Sequence, residues 1–276
     1  MKKIFFISEI GINHNGDIDT TKKLIDVSVE SGCDAVKFQK RTIDVVYDED
    51  MLDSSRESPW GTTQREQKEG LEFDVDEYNQ IDEYCKEKNI EWFASSWDVK
   101  SQDFLKQYNL KYNKLASPMI TNIPLVKRIS DEKKHTFIST GMSTYEDIDR
   151  VVDIFKEREC PFTLLHCVST YPTHDSDCNI EMINSLRKRY DCEVGYSGHE
   201  KGILPSLLSV LNGASVIERH ITLDKNMYGS DQKSSLLGDE LKQLITYVNN
   251  IESIMGDGVK RILEDEIQIL DKLRYW

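Results

Sequence analysis

A chain of 276 residues, 38% of them hydrophobic, is long enough to bury one large core, and its length suits a single α/β barrel. The formal net charge of −14 argues against nucleic acid or an anionic membrane surface as a partner, and no apolar run approaches the roughly 20 residues of a spanning helix. The six cysteines (33, 85, 160, 167, 178 and 192) lack CxxC or zinc-finger spacing and read as reduced thiols of a cytoplasmic protein without assigned roles.

The first nine residues pair two lysines with a short apolar stretch, as a signal peptide would. Glu9 and Asn13-His14-Asn15 interrupt it early and no small-residue cleavage pattern follows, so it reads as a first buried strand. Further strand-like runs follow. The full set is 4–8, 35–38, 91–95, 112–115, 136–139, 163–167, 193–196 and 215–218. Between them, apolar residues at three- and four-residue spacing mark helices over 20–31, 75–88, 101–108, 145–158, 180–189 and 202–211, with a last one over 239–255. Gly32, Gly213 and Gly256 supply helix stops. Eight strands alternating with helical stretches predict a (β/α)8 barrel, one domain spanning 1–276, with a doubly wound open sheet as the alternative. Residues 40–73 break the rhythm. This long polar segment after the second strand carries Ser58-Pro59-Trp60-Gly61 and reads as a lid or binding loop.

Parallel folds place ligands at the carboxyl ends of their strands. Read that way, strand one delivers Glu9 and strand two Lys37 and Gln39. Strand three leads to Asp98, and strand four to Lys114 and Ser117. Ser139 ends strand five, while Ser169 and Tyr171 follow strand six. Ser197 and His199 follow strand seven, His220 follows strand eight, and Asp231 lies just beyond. If the last two strands are neighbours, His199 and His220 emerge side by side and can hold one divalent metal through two nitrogens, leaving positions open for substrate. Two lysines and several serines beside that pair suit a phosphorylated anion. Each residue alone has a plainer reading: a hydrogen-bonded strand-end histidine, a solvated lysine, or serine and glycine turn chemistry. Convergence from eight elements favours the functional one.

The motifs Glu9-Ile10-Gly11-Ile12-Asn13-His14-Asn15-Gly16, Asp34-Ala35-Val36-Lys37-Phe38-Gln39, Ser139-Thr140-Gly141-Met142, Gly195-Tyr196-Ser197-Gly198-His199 and Glu218-Arg219-His220-Ile221-Thr222 resemble those of the sialic acid synthase family, which includes N-acetylneuraminate, legionaminate and pseudaminate synthases. The similarity spans about residues 4–272. It implies a barrel that condenses phosphoenolpyruvate with an aldose, giving a 3-deoxy-2-ulosonic acid and phosphate. It also implies a divalent ion, manganese ahead of magnesium or cobalt, held by His199 and His220. Lys37, Lys114, Ser117, Ser139, Ser169 and Ser197 match positions that cradle phosphoenolpyruvate. Glu9, Gln39, Tyr171 and Asp231 match positions near the sugar or a metal-bound water. A homodimer follows from the same resemblance.

Two departures stand out. The family carries a carboxylate two residues after Ser117, where this chain has Met119, and Asp98 on the neighbouring strand is the expected substitute base. The family also continues into an antifreeze-like domain that contacts the sugar's acyl group, whereas this chain stops at Trp276. The expectation is a sugar without the usual acyl recognition, or one recognised by the 40–73 segment. Alternatives are a synthase of a different, non-acylated ulosonic acid, or an inactive sugar-binding homologue marked by Met119. Of the other aromatic residues, Trp60 and Trp97 are expected to stack on a sugar and His14 to line the site. Trp92 and His166 read as core, His135 and His174 as surface.

Overall fold

The computed structural model describes residues 3–274 and Trp276; Met1 and Lys2 of the expected first strand, and Tyr275, lie outside the described residues. The strands are β1 (Phe5–Gly11), β2 (Ala35–Lys40), β3 (Ser55–Ser58), β4 (Gly61–Thr63), β5 (Glu91–Ser96), β6 (Tyr112–Leu115), β7 (His135–Ser139), β8 (Phe162–Cys167), β9 (Val194–Gly198) and β10 (Val216–His220). Eight of them close a parallel barrel in the order β1-β10-β9-β8-β7-β6-β5-β2, while β3 and β4 form a separate antiparallel hairpin. The barrel reading holds and the open sheet is excluded.

The helices are α1 (Ile18–Ser31), α2 (Ile43–Val46), α3 (Glu49–Asp53), α4 (Gln64–Leu71), α5 (Val75–Glu87), α6 (Val99–Leu105), α7 (Ile123–Ser130), α8 (Tyr145–Glu157), α9 (Met182–Tyr190), α10 (Leu204–Leu211), α11 (Gly238–Met255) and α12 (Glu264–Leu273). Their ends follow local chemistry. Asp17 accepts a hydrogen bond from Thr20 N to start α1, and Gly32, at φ +92°, ends it in the left-handed region. Among the described residues no helix is long and apolar enough to cross a membrane.

Inside the barrel, Phe5, Phe93, Tyr112 and Phe137 stack edge and face at ring separations of 5.3–5.8 Å. This aromatic plug fills the barrel below the site. Strand register then sets the layer above it. Glu9 pairs with His220 on one side and Lys37 on the other, Glu218 with Ser197, and Ser95 with Lys114. The two-residue period of a strand sends Lys37 and Gln39 inward, while Phe38 packs outward against Tyr78 and Trp92.

The 40–73 segment is folded, not a bare loop. It contains α2, α3, the β3–β4 hairpin and α4, with Leu52, Leu71 and Phe73 buried beneath. Lys40 Nζ donates to Phe73 O (2.7 Å) and Glu72 Oε2 (3.2 Å), which clasps the two ends of the excursion together over the barrel mouth.

Candidate active site

A cavity of about 430 Å³ opens at the carboxyl end of the barrel under this excursion. Its floor is ionic. Lys37 Nζ lies 2.9 Å from Glu9 Oε2 and 3.5 Å from Glu218 Oε1, and Lys114 Nζ lies 3.8 Å from the same Glu218 oxygen and bonds Ser139 Oγ. Ser197 Oγ donates to Glu218 Oε1 (3.0 Å), and Gln39 Nε2 to Glu9 Oε1 (2.9 Å). All four charged groups are buried.

These neighbours set the protonation states. Burial would raise the Glu218 carboxyl, but Lys114 and Lys37 outweigh it and hold it at about 2. Burial likewise works against the Lys37 charge, and Glu218 and Glu9 reverse that, raising it. Burial, helped by Lys37, pushes Lys114 down to about 8. Burial raises Glu9, with Lys37 only partly opposing, so this carboxyl takes up a proton more readily than its neighbour.

One wall is a cradle of hydroxyls. Gly141 N–H donates to Ser117 Oγ (3.0 Å), and a Cβ on Gly141 would lie 2.3 Å from Ser169 Oγ and 2.9 Å from Ser117 Oγ. Glycine is required here because the backbone passes directly behind the serines. Substituting Gly141→Ala should displace both hydroxyls and raise the KM for an anionic substrate by about 10-fold or more, roughly one charge-assisted hydrogen bond. Steady-state kinetics checks this, and an unchanged KM would mean that the cradle does not touch substrate.

The opposite wall carries the two histidines, their rings 5.4 Å apart. The carbonyl of Val168 sits 2.7 Å from His199 Nδ1, which fixes the proton there and leaves Nε2 free to coordinate. His220 Nδ1 is buried without a hydrogen bond, 3.8 Å from Asp231 Oδ2, and burial pushes its pKa down to about 3, leaving it neutral. Glu218 Oε2 is also buried and unpaired. A pair of imidazoles, the His220 ring neutral with an orphaned nitrogen, and nearby carboxylates fit a transition metal. Among the described residues no three His, Cys, Asp or Glu side chains already form a ligand shell, so the remaining ligands would come from substrate or water. The Tyr171 ring packs on His199 at 4.2 Å, and burial together with nearby acidic groups raises its hydroxyl pKa, so it keeps its proton and remains able to donate.

The structure thus gathers Glu9, Lys37, Gln39, Lys114, Ser117, Ser139, Ser169, Tyr171, Ser197, His199, His220 and Asp231 around one cavity. It leaves Asp98 out. That carboxylate caps α6, accepting from Ser101 N (2.8 Å) and Oγ (2.6 Å), and it also accepts from Thr42 N (2.8 Å) and Oγ1 (3.0 Å). Its oxygens are spent on holding the excursion to the barrel, so the expectation of a catalytic Asp98 is corrected. Asp98→Ala should destabilise the fold by roughly 2–3 kcal/mol while the folded fraction turns over normally. Thermal denaturation read beside turnover separates the two, and an unchanged Tm with a large loss of turnover would restore a chemical role.

Met119 does not face the cavity but packs against the apolar core, and the carboxylates that do line it are Glu9, Glu72, Glu218 and Asp231. Trp97 lines the cavity beneath the Arg41 guanidinium (4.1 Å), whereas Trp60 packs edge-on to Tyr228. His14 stacks on Phe73 at 4.1 Å and stays out of the cavity. His166 bonds the carbonyl of Cys178 (2.7 Å), as expected of a core histidine. Sequence reading missed Glu218, whose motif was visible, and Cys167, whose sulfur lies between Ser117 and His199.

The fold and site define a (β/α)8-barrel enzyme that gathers an anion floor and a histidine pair in one cavity. The sequence pattern of the NeuB family matches residues 24–260. The chain is 40% identical over 253 residues to the N-acetylneuraminate-9-phosphate synthase of Drosophila melanogaster, covering 90% of this chain and 68% of that one. It is 35% identical over 288 residues to the N,N'-diacetyllegionaminic acid synthase of Campylobacter jejuni, covering 99% and 84%. Among solved structures, the N-acetylneuraminic acid synthetase of Leptospira borgpetersenii, in complex with citrate, superposes with a TM-score of 0.84 at 32% identity, covering 99% of this chain and 93% of that one. The chain belongs to the NeuB family and is a synthase of the sialic acid synthase type.

Proposed function

We propose that this protein condenses phosphoenolpyruvate with an N-acylmannosamine-like aldose, or its phosphate, to give a sialic-acid-like 3-deoxy-2-ulosonic acid and inorganic phosphate. The observation that carries the reading is the juxtaposition of the Lys37–Lys114 floor and serine cradle with the His199–His220 pair in one cavity. Carbon 3 of phosphoenolpyruvate forms the new bond to the aldehyde carbon, whose oxygen gains a proton. Water adds at carbon 2, and the bridging oxygen leaves with phosphate, so each turnover consumes one water.

Lys37 and Lys114 would neutralise the carboxylate and phosphate, and the hydroxyls of Ser117, Ser139, Ser169 and Ser197 would donate to their remaining oxygens. Glu9, with its raised affinity for a proton, is placed to exchange one with the reacting oxygens, oriented by Gln39. Tyr171 can donate to the sugar, and Asp231 can position water beside His220. A divalent metal, manganese by our reading, would be held by His199 and His220 and would polarise the aldehyde oxygen. A homodimer in the cytoplasm is part of the same proposal and rests on the family resemblance.

The inactive-homologue reading drew its support from Met119, and that side chain lies outside the cavity, which favours the enzyme. The test is product analysis after incubation with phosphoenolpyruvate labelled with 18O at the bridging position. The proposal expects a product of mass equal to both substrates plus water minus phosphate, with the label in the released phosphate. Label retained in pyruvate, with no condensed product, would refute it.

A further inference from the structure

The run Glu218-Arg219-His220 delivers two side chains to the cavity and sends one the other way. The two-residue period that turns Glu218 and His220 inward turns Arg219 out of the barrel, towards α10. Its side chain is fully enclosed there, as is that of its partner Glu200. Arg219 Nη1 reaches Glu200 Oε1 (2.7 Å), Ser206 Oγ (2.9 Å) and the Gly202 carbonyl (2.8 Å), and Nη2 donates to the Glu200 carbonyl (2.5 Å). Glu200 Oε1 also accepts from Ser206 Oγ (2.8 Å), and Oε2 accepts from Tyr196 OH (3.0 Å). Glycine at 198 makes the crossing possible. Arg219 pairs with Gly198 in the strand register, and a Cβ on Gly198 would lie 2.5 Å from Glu200 Oε2, 2.7 Å from Tyr196 Cε1 and 3.0 Å from Arg219 Cδ.

This clamp sits where the sheet stops holding the two strands together. Among the described residues Arg219–Gly198 is the last pair of the β9–β10 ladder. Beyond it Glu200 bridges to Thr173 and Ile221 to Leu236, so the strand ends that carry His199 and His220 take different neighbours. The Arg219–Glu200 pair joins the residue before one histidine to the residue after the other, across that gap. A buried ion pair adds little net stability over apolar packing of the same volume, so stability alone does not account for one at this point. A metal held by only two protein nitrogens depends on their spacing, which the groups behind the ligands set.

We infer that Arg219 and Glu200 are positioning residues that fix the spacing of His199 and His220 and thereby set the affinity of the pair for its divalent metal, without lining the cavity themselves. This rests on the proposed metal site and goes beyond it.

Manganese uptake in the absence of substrates tests it, read from the loss of the free-ion electron paramagnetic resonance signal. Wild type is compared with an Arg219→Met/Glu200→Met double variant and with Arg219→Lys. The double variant removes both charges at similar volume, an exchange that buried pairs often tolerate, and circular dichroism checks that it folds. Arg219→Lys keeps the pair charge-balanced, but one ammonium cannot replace a guanidinium that spans Glu200 Oε1 and the Glu200 carbonyl, and it carries the test if the double variant does not fold. Both variants should bind manganese about 10- to 100-fold more weakly than wild type. Wild-type affinity in either folded variant would overturn the inference, even beside a lowered Tm, because a merely structural pair would move Tm alone. Wild type that takes up no manganese would overturn it together with the proposed metal site, whereas wild type that binds the metal and variants that bind it equally well would overturn this inference alone.

Discussion

Replacing Lys114 by methionine is expected to lower kcat/KM for phosphoenolpyruvate by about 10³-fold, roughly 4 kcal/mol of lost transition-state stabilisation. Methionine keeps the apolar stem in the buried channel between β5 and β7 but removes the ammonium that faces Glu218 and Ser139. The loss falls on a charged contact in a site shielded from water, where such contacts are strongest. Wild type carries a matching pH signature. Burial and Lys37 hold Lys114 at about 8, so its charge is present below that pH and lost above it. The kcat/KM for phosphoenolpyruvate should therefore fall as pH rises through about 8. The limb on kcat should lie higher, because a bound anion restores the charged form. In Lys114→Met the limb near 8 should vanish along with most of the activity. A limb that persists unchanged would show that another group titrates there.

Glu218→Gln should produce the second large effect. This carboxylate is the shared counter-charge of Lys37 and Lys114 and accepts from Ser197. Glutamine keeps the shape and an acceptor but leaves two buried ammonium groups with Glu9 alone. Lys114 loses the neighbour that raises its pKa, so the limb in kcat/KM should move below pH 8. At neutral pH activity should drop by about 10²-fold, and the fold should lose on the order of 3 kcal/mol from the broken buried pair. The direction of the limb is diagnostic, since a purely structural role would lower Tm without moving it.

The barrel was legible because parallel strands covered on both faces read as short apolar runs, and their alternation with helices is regular. The strand-end rule then located the cavity residues, since register alone brings Glu9, Lys37 and His220 side by side. The helix α7 escaped the pattern because it has only 8 residues and opens on Ile123-Pro124, which resembles a turn. Asp98 was misplaced for a physical reason. A residue directly after a strand is also the natural start of the next helix, and a carboxylate serves as cap or as catalyst in the same sequence position. Glu218 escaped assignment because an acid within a strand reads as solvated until the register reveals two lysines beside it. Arg56 and Lys68, which also line the cavity, lie in a polar stretch whose folding into a hairpin and helix depends on docking over the barrel, which no local period encodes.

Phosphate release from phosphoenolpyruvate, measured with manganese across a panel of phosphorylated and plain aldoses, tests the central claim most directly. The cavity predicts release that requires one class of aldose, requires the metal, and falls by about 10³-fold or more in His220→Ala. Tight metal binding at His199 and His220 with no release on any sugar would contradict it, and would make the cavity a binding site without condensing chemistry.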